Sequence, residues 1–302
     1  MLKRVLIVGA SGFLGKELYK AFKLNTYYET YGTYFKNEMN SFEYLSMMQL
    51  DSIKSTFDKV RPNIVIITSS LTNVEYCEAN KDEAYEINVI GIKNIVGFCK
   101  KYNCRVVYIS TEYVFDGKNG PYDEEDAEFP INYYGKTKLE AEKIIKSEIK
   151  DYLIARTTVI YGWDLNSKNF IMQLINNLSK NKSMKIPNDQ ISSPTYCNDL
   201  SMIIEKSCDK DIKGVINVVG NDVIDRYRFA VRAAEILELN KSLLIPVKTI
   251  SLGQIASRPL NAGLKVDKLI SLLKIKPLGI DEGLKNVKLN HDKYKVEEAY
   301  GE

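Results

Sequence analysis

The stretch V-L-I-V-G-A-S-G-F-L-G, Val5 to Gly15, decides how this chain is read. Four consecutive apolar residues suit a strand buried on both faces, and glycines at 9, 12 and 15 separate it from an amphipathic run reaching Phe22. Strand, glycine turn and helix in that order bring backbone N–H groups to the positive end of a helix, with no Cβ to keep a phosphate at a distance. The spacing is G-x-x-G-x-x-G rather than G-x-G-x-x-G. An ordinary strand–helix turn is the alternative, and the position of all three glycines argues against it.

Outward from this loop the alternation continues. Apolar runs predict strands at 4–8, 28–34, 64–68, 105–110 and 152–156, with helices at 12–22, 52–60, 84–102 and 133–149 between them. Buried strands alternating with helices imply an α/β fold: a Rossmann-type, doubly wound parallel sheet. After Tyr161 the pattern loosens into a helix at 169–178, a short strand at 184–186 and a helix near 199–206. A strand at 215–219 would return to the main sheet, followed by a helix at 226–239, a strand at 243–247 and a helix around 281–287. The expected division is a dinucleotide-binding lobe, 1–158 plus about 199–222, and a smaller α/β substrate-binding lobe, 159–198 plus about 223–302.

Bulk properties exclude several classes. At 302 residues, 45% hydrophobic and 27% charged, with a net charge of +3, nothing asks for nucleic acid or a membrane. The apolar run after Arg4 is too short for a signal peptide, and no stretch approaches the roughly 18 apolar residues of a membrane span. Five cysteines without C-x-x-C spacing read as reduced cytoplasmic thiols. The sole histidine, His291 in a polar segment, leaves little from which to build a catalytic triad or a histidine metal site, so no metal is expected.

Other proton donors are therefore needed. Tyr134 and Lys138 stand four apart on one face of a predicted helix, with Ala141 and Ile145 continuing that face. A tyrosine, whose ordinary pKa is about 10, works as an acid–base group at neutral pH when a cation stabilises its phenolate. Thr111 directly follows a predicted central strand, so its hydroxyl belongs at the carboxyl ends of the strands, where ligands bind in such sheets. The rival Tyr133 has Thr137, not a lysine, one turn on. At the end of the second strand, where a carboxylate would select NAD, the chain reads Tyr34-Phe35-Lys36 and the first acid is Glu38. NADP(H) is therefore favoured over NAD(H), with Lys36 as the 2′-phosphate contact.

Longer blocks carry a resemblance. I-S-T-E-Y-V-F-D-G at 109–117, N-Y-Y-G-K-T-K-L-E-A-E at 132–142, R-T-T-V-I-Y-G at 156–162, D-Q-I-S-S-P-T-Y at 189–196 and R-P-L-N-A-G-L at 258–264 look like an extended short-chain dehydrogenase/reductase. Specifically, they resemble the dTDP-4-dehydrorhamnose reductase family along nearly the whole chain. The resemblance implies reduction of a nucleotide-linked 4-keto-6-deoxysugar, with hydride to C4, Tyr134 protonating the oxygen and Thr111 and Lys138 assisting. It implies cofactor contacts at Gly9, Ser11, Gly12, Phe13, Leu14, Gly15, Thr68, Ser69, Ser70 and Thr157, besides Lys36, Tyr134 and Lys138. Substrate contacts are expected at Thr111, Glu112, Tyr134, Gln190, Thr195 and Arg258, the last as a diphosphate partner. A homodimer is compatible with it.

The chain departs from the family pattern in having Glu112 for the usual aspartate, Ser69 and Ser70 for alanines, and Ser46 for an aspartate near the adenine. Two alternatives remain. The NADP-binding regulatory subunit of methionine adenosyltransferase shares the Y-V-F-D-G and Y-G-K-T-K-L blocks, and a nucleotide-sugar epimerase or dehydratase shares the tyrosine and lysine. Dehydratases carry an Asp-Glu pair after the threonine, whereas here Glu112 is followed by Tyr113.

Overall fold

The computed structural model of the protein describes residues 2–300. The first half follows strand–helix alternation: β1 (Lys3–Val8), α1 (Phe13–Leu24), β2 (Tyr28–Tyr34), β3 (Glu43–Tyr44), α2 (Leu50–Val60) and β4 (Ile64–Ile67). Next come α3 (Val74–Ala79), α4 (Lys81–Tyr85), a π-helical turn (Glu86–Ile90), α5 (Gly91–Tyr102), β5 (Arg105–Thr111), α6 (Tyr133–Glu148) and β6 (Tyr152–Thr157). The second half adds β7 (Ile160–Tyr161), α7 (Phe170–Leu178), β8 (Met184–Pro187), β9 (Ile191–Ser192), β10 (Thr195–Tyr196), α8 (Cys197–Asp209) and β11 (Gly214–Asn217). It closes with β12 (Ile224–Asp225), α9 (Arg226–Ile236), β13 (Leu244–Val247), α10 (Asp267–Leu273) and α11 (Ile280–Tyr300).

Seven strands form one parallel sheet in the order β11-β6-β5-β4-β1-β2-β3. Side chains alternate across each strand, so β1 sends Val5 and Ile7 into one core and Leu6 and Val8 into the other. The first core is closed by α1 and α8, the second by α2, α5 and α6. Both faces are buried, which is why these strands read as apolar runs rather than as alternating ones. A third cluster, built from α7, α9 and α11 around Tyr161 and Phe229, fills the other half.

The chain leaves β1 in one direction to reach β2 and β3, and in the other to reach β4, β5 and β6. A crevice opens at this reversal, beyond the carboxyl ends of β1 and β4. The strand expected at 215–219 does join the main sheet, as β11 beside β6.

Some expectations are corrected. The helix predicted at 84–102 is interrupted by the π-helical turn, which an unbroken apolar pattern conceals. β5 extends one residue further, so Thr111 is the last residue of the strand rather than the first after it. His291, placed by its sequence in a polar segment, is buried against Trp163 with ring centroids 5.0 Å apart.

Candidate active site

Residues from these strand ends line a cleft of about 1090 Å³. Every expected cofactor residue contributes to its wall: Gly9, Ser11, Gly12, Phe13, Leu14, Gly15, Lys36, Thr68, Ser69, Ser70, Tyr134, Lys138 and Thr157. So do Thr111, Glu112 and Ser46.

The glycine loop is shaped by close packing on itself. A Cβ on Gly15 would lie 2.1 Å from the Gly9 carbonyl oxygen, so only glycine lets α1 start this close to the strand. The α1 N-terminus is capped by no side chain and has no acid in its first turn, which leaves its positive end for an anion. Thr33 receives the Gly9 N–H at 3.1 Å, and the Thr68 hydroxyl donates to the Val8 carbonyl at 2.9 Å, fixing the loop to the strands on either side. Lys36 is exposed at the rim, its Nζ 6.0 Å from the Phe35 ring. Across the cleft the Thr157 hydroxyl is buried without a hydrogen-bond partner among the described residues. A cradle that a Cβ would fill, together with this orphaned hydroxyl, suits a dinucleotide laid from the loop to the end of β6.

α6 carries the proton-transfer pair and is held on three sides. Asn132 caps it by accepting the Gly135 N–H at 2.9 Å. A Cβ on Gly135 would sit 2.1 Å from the Tyr113 carbonyl oxygen, so the first turn of α6 lies directly on the turn that follows β5. One side is pinned by a buried charge cluster. Glu142 accepts from Arg156 Nε at 3.1 Å, from Arg156 Nη2 at 2.8 Å and from the Ser110 hydroxyl at 2.5 Å, while Arg156 Nη2 also reaches Glu128 at 2.6 Å. This ties α6 to both β5 and β6.

Lys138 is buried; its ammonium donates to the Ile109 carbonyl at 2.7 Å and lies 4.1 Å from the centre of the Tyr108 ring. Burial lowers its pKa to about 7, and the nearby Glu142 charge partly opposes this. Tyr134 packs edge-on against Tyr113 at 5.8 Å. Burial raises the Tyr134 phenol above its ordinary value, the Glu112 charge raises it further, and a hydrogen bond with Thr111 pulls it back. The phenol is therefore protonated at neutral pH, as a proton donor must be. The closest partners of the ammonium are the Ile109 carbonyl and the Tyr108 ring rather than the phenol oxygen, so the support expected from Lys138 is not a direct contact in this state.

Glu112 is buried next to them. Its Oε2 accepts from the Thr111 hydroxyl at 2.9 Å and its Oε1 from the Thr158 hydroxyl at 2.5 Å. Burial pushes its carboxyl up to about 7 against the pull of these hydrogen bonds.

The three expected substrate residues from the second half do not reach the cleft wall. Gln190 Nε2 donates to the Thr249 hydroxyl at 3.1 Å. The buried Thr195 hydroxyl donates to the Ser193 carbonyl at 2.9 Å and accepts the Gly220 N–H at 3.3 Å, so its hydrogen bonds serve the fold. Arg258 pairs with Glu75 at 2.7 Å and lies close enough to Tyr113 and Arg226 for its charge to act on both.

Two residues were missed by sequence reasoning. Arg226, the first residue of α9, stacks 4.4 Å above the Phe170 ring, makes no ion pair among the described residues, and its charge acts on Glu112 and Tyr113. Asn88, on the π-helical turn, is buried and clamps three segments. It accepts from the Ser70 hydroxyl and the Leu71 N–H, and donates to the Leu71 carbonyl and to Thr137 on α6. Its signal was an asparagine inside the apolar run E-I-N-V-I. Arg226 had no signal beyond its place after a capping aspartate.

Comparison with known proteins gives a consistent result. The family model described as the RmlD substrate binding domain matches residues 3–291. A dTDP-4-dehydrorhamnose reductase of Aggregatibacter actinomycetemcomitans is 30% identical over 301 residues, 95% of this chain and 99% of that protein. The solved dTDP-4-dehydrorhamnose reductase of Bacillus anthracis, in complex with NADP, superposes with a TM-score of 0.87 at 29% identity, covering 96% of this chain and all of the other. Methionine adenosyltransferase 2 subunit beta of Mus musculus is also 30% identical, over 277 residues, 89% of this chain and 82% of the relative.

Proposed function

Because the chain belongs to the family of the RmlD substrate binding domain, we propose that it is an NADP(H)-dependent reductase of a nucleotide-linked 4-keto-6-deoxysugar. The observation that carries this reading is the convergence of Thr111, Tyr134 and Lys138 on the same cleft wall as the glycine loop. Bound NADPH would supply the hydride, delivered to the sugar C4, and the chain supplies the rest. The glycine loop and the α1 N-terminus hold the pyrophosphate, and Lys36 at the rim meets the 2′-phosphate. Thr111 orients the carbonyl oxygen and Tyr134 gives it a proton. Lys138, held by the Ile109 carbonyl, places positive charge beneath the site as the phenolate forms.

The two-lobe division at about residues 158, 199 and 222 belongs to this proposal, with the nucleotide sugar between the cleft and the cluster around α7 and α9. Arg258 and Arg226, whose charges reach Tyr113 beside the cleft, are the arginines proposed for the diphosphate, and Arg226 is the better suited because Glu75 already neutralises Arg258. A cytoplasmic location also belongs to it, supported by five buried cysteines that are all unpaired. Among the described residues no helix is long and apolar enough to cross a membrane.

Tyr134→Phe tests the assignment: turnover of 4-keto nucleotide sugars is lost while NADPH binding persists, and near-normal turnover would remove Tyr134 from the mechanism. The likeness to the adenosyltransferase subunit favours a second reading, a regulatory partner. It predicts a co-purifying adenosyltransferase and no NADPH consumption.

A further inference from the structure

Glu112 is a buried carboxyl in the cleft that proton transfer from Tyr134 leaves without a role. It sits on the turn immediately after β5, 5% exposed, with each carboxyl oxygen against one threonine hydroxyl. A hydroxyl has one proton to give. With Glu112 ionised, Thr111 gives that proton to Oε2, while its oxygen already accepts the Tyr113 N–H at 3.2 Å. It then has only a lone pair left, which meets the Tyr134 phenol, and no proton for a substrate carbonyl oxygen.

A proton on Glu112 reverses the contact. The carboxyl donates to the Thr111 oxygen, whose two lone pairs are then filled by Glu112 and by the Tyr113 N–H, and the Thr111 proton is free to point into the cleft. Thr158 continues to donate to the other carboxyl oxygen. We propose that Glu112 is a positioning residue whose neutral acid form makes Thr111 a hydrogen-bond donor to the substrate carbonyl beside Tyr134. This rests on the reductase reading. No proton leaves Glu112 over a turnover; the proton gained by the sugar oxygen comes from Tyr134.

The surroundings agree. Burial is the largest influence on Glu112 and favours its neutral form. Against it stand the two threonine hydroxyls and the charge of Arg226 from α9. Tyr113 on the same turn and Tyr134 on α6 face it as neutral phenols, and Arg258 and Glu75 act on Tyr113 from beyond. The charge of an ionised Glu112 raises the Tyr134 pKa, so neutral Glu112 also eases loss of the phenol proton.

Glu112→Gln mimics the proposed form permanently, its amide oxygen accepting from Thr158 and its NH₂ donating to Thr111. Two groups, Glu112 and Lys138, must then be protonated in the wild type and one in E112Q. Above neutrality, kcat/KM for NADPH-driven reduction of a 4-keto nucleotide sugar should fall about 100-fold per pH unit in the wild type and about tenfold in E112Q. Profiles that superimpose would overturn the proposal. In the cofactor-free protein, infrared difference spectra between about pH 6 and pH 8 should show a protonated-carboxyl band that disappears as pH rises and is missing in E112Q; its absence from the wild type would also overturn the proposal. Failure to reduce any 4-keto nucleotide sugar would instead remove the reductase reading, and the infrared band would still decide the protonation of Glu112.

Discussion

Replacing Glu142 with glutamine should damage both the stability of the fold and the pH range of its chemistry, by amounts the structure allows to be worked out. Glu142 is fully buried and holds Arg156, also fully buried, through two hydrogen bonds. Removing one partner of a buried pair costs roughly 3–5 kcal/mol, because the other charge is left without compensation. Arg156 keeps Glu128 at 2.6 Å, a partner whose side chain is 30% exposed, so the expected loss lies near the lower end, about 3 kcal/mol. That is a large share of the roughly 5–15 kcal/mol by which domains are stable, and urea unfolding followed by circular dichroism would read it as a lower midpoint with an unchanged slope. A second readout follows from Lys138. Burial depresses its ammonium and the Glu142 charge is what offsets this, so glutamine should lower the Lys138 pKa below about 7. Protonated Lys138 is the working form, so the alkaline limb of kcat/KM moves to lower pH in the variant. A loss under about 1 kcal/mol together with an unmoved limb would refute the account of how α6 is anchored.

Other substitutions test separate parts. Gly15→Ala drives a Cβ to 2.1 Å from the Gly9 carbonyl oxygen and should abolish NADPH binding, measured by fluorescence titration; retained affinity would contradict the cradle. Lys36→Asp should weaken NADPH much more than NADH, and equal weakening of the two would dismiss Lys36 as the 2′-phosphate contact. Asn88→Ala leaves the Leu71 N–H and carbonyl and the Thr137 hydroxyl with one partner fewer, so it should cost about 1–3 kcal/mol of stability in denaturant unfolding, and a change near zero would argue against the clamp.

Much of this was legible in the sequence because it rests on short-range chemistry. The inner strands β1, β4 and β5 announce themselves as apolar runs since both faces are covered, while the tyrosine-rich β2, at 28–34, is legible from its aromatic and threonine residues. The glycine loop, Thr111 and the Tyr134–Lys138 pair come from three places in the chain, the turn from β1 to α1, the end of β5 and α6, yet strand-to-helix order alone puts them at one end of the sheet. What the sequence hid depends on long-range packing. The π-helical turn leaves the apolar period nearly intact while turning Asn88 inward. Arg226 stacks on Phe170 because α7 and α9 pack together, and only the folded chain brings its charge within reach of Glu112. Gln190 and Thr195 look like ligand-binding polar residues in the sequence, but their hydrogen bonds are made within the protein.

The central claim is net reduction of a sugar ketone. The most direct measurement follows NADPH absorbance as the purified protein is mixed with a 4-keto-6-deoxy nucleotide sugar. The account predicts one NADPH oxidised per sugar converted, with the C4 alcohol as product. Conversion of the sugar with the cofactor returned to its starting redox state, or no NADPH oxidation with any such sugar, would contradict it.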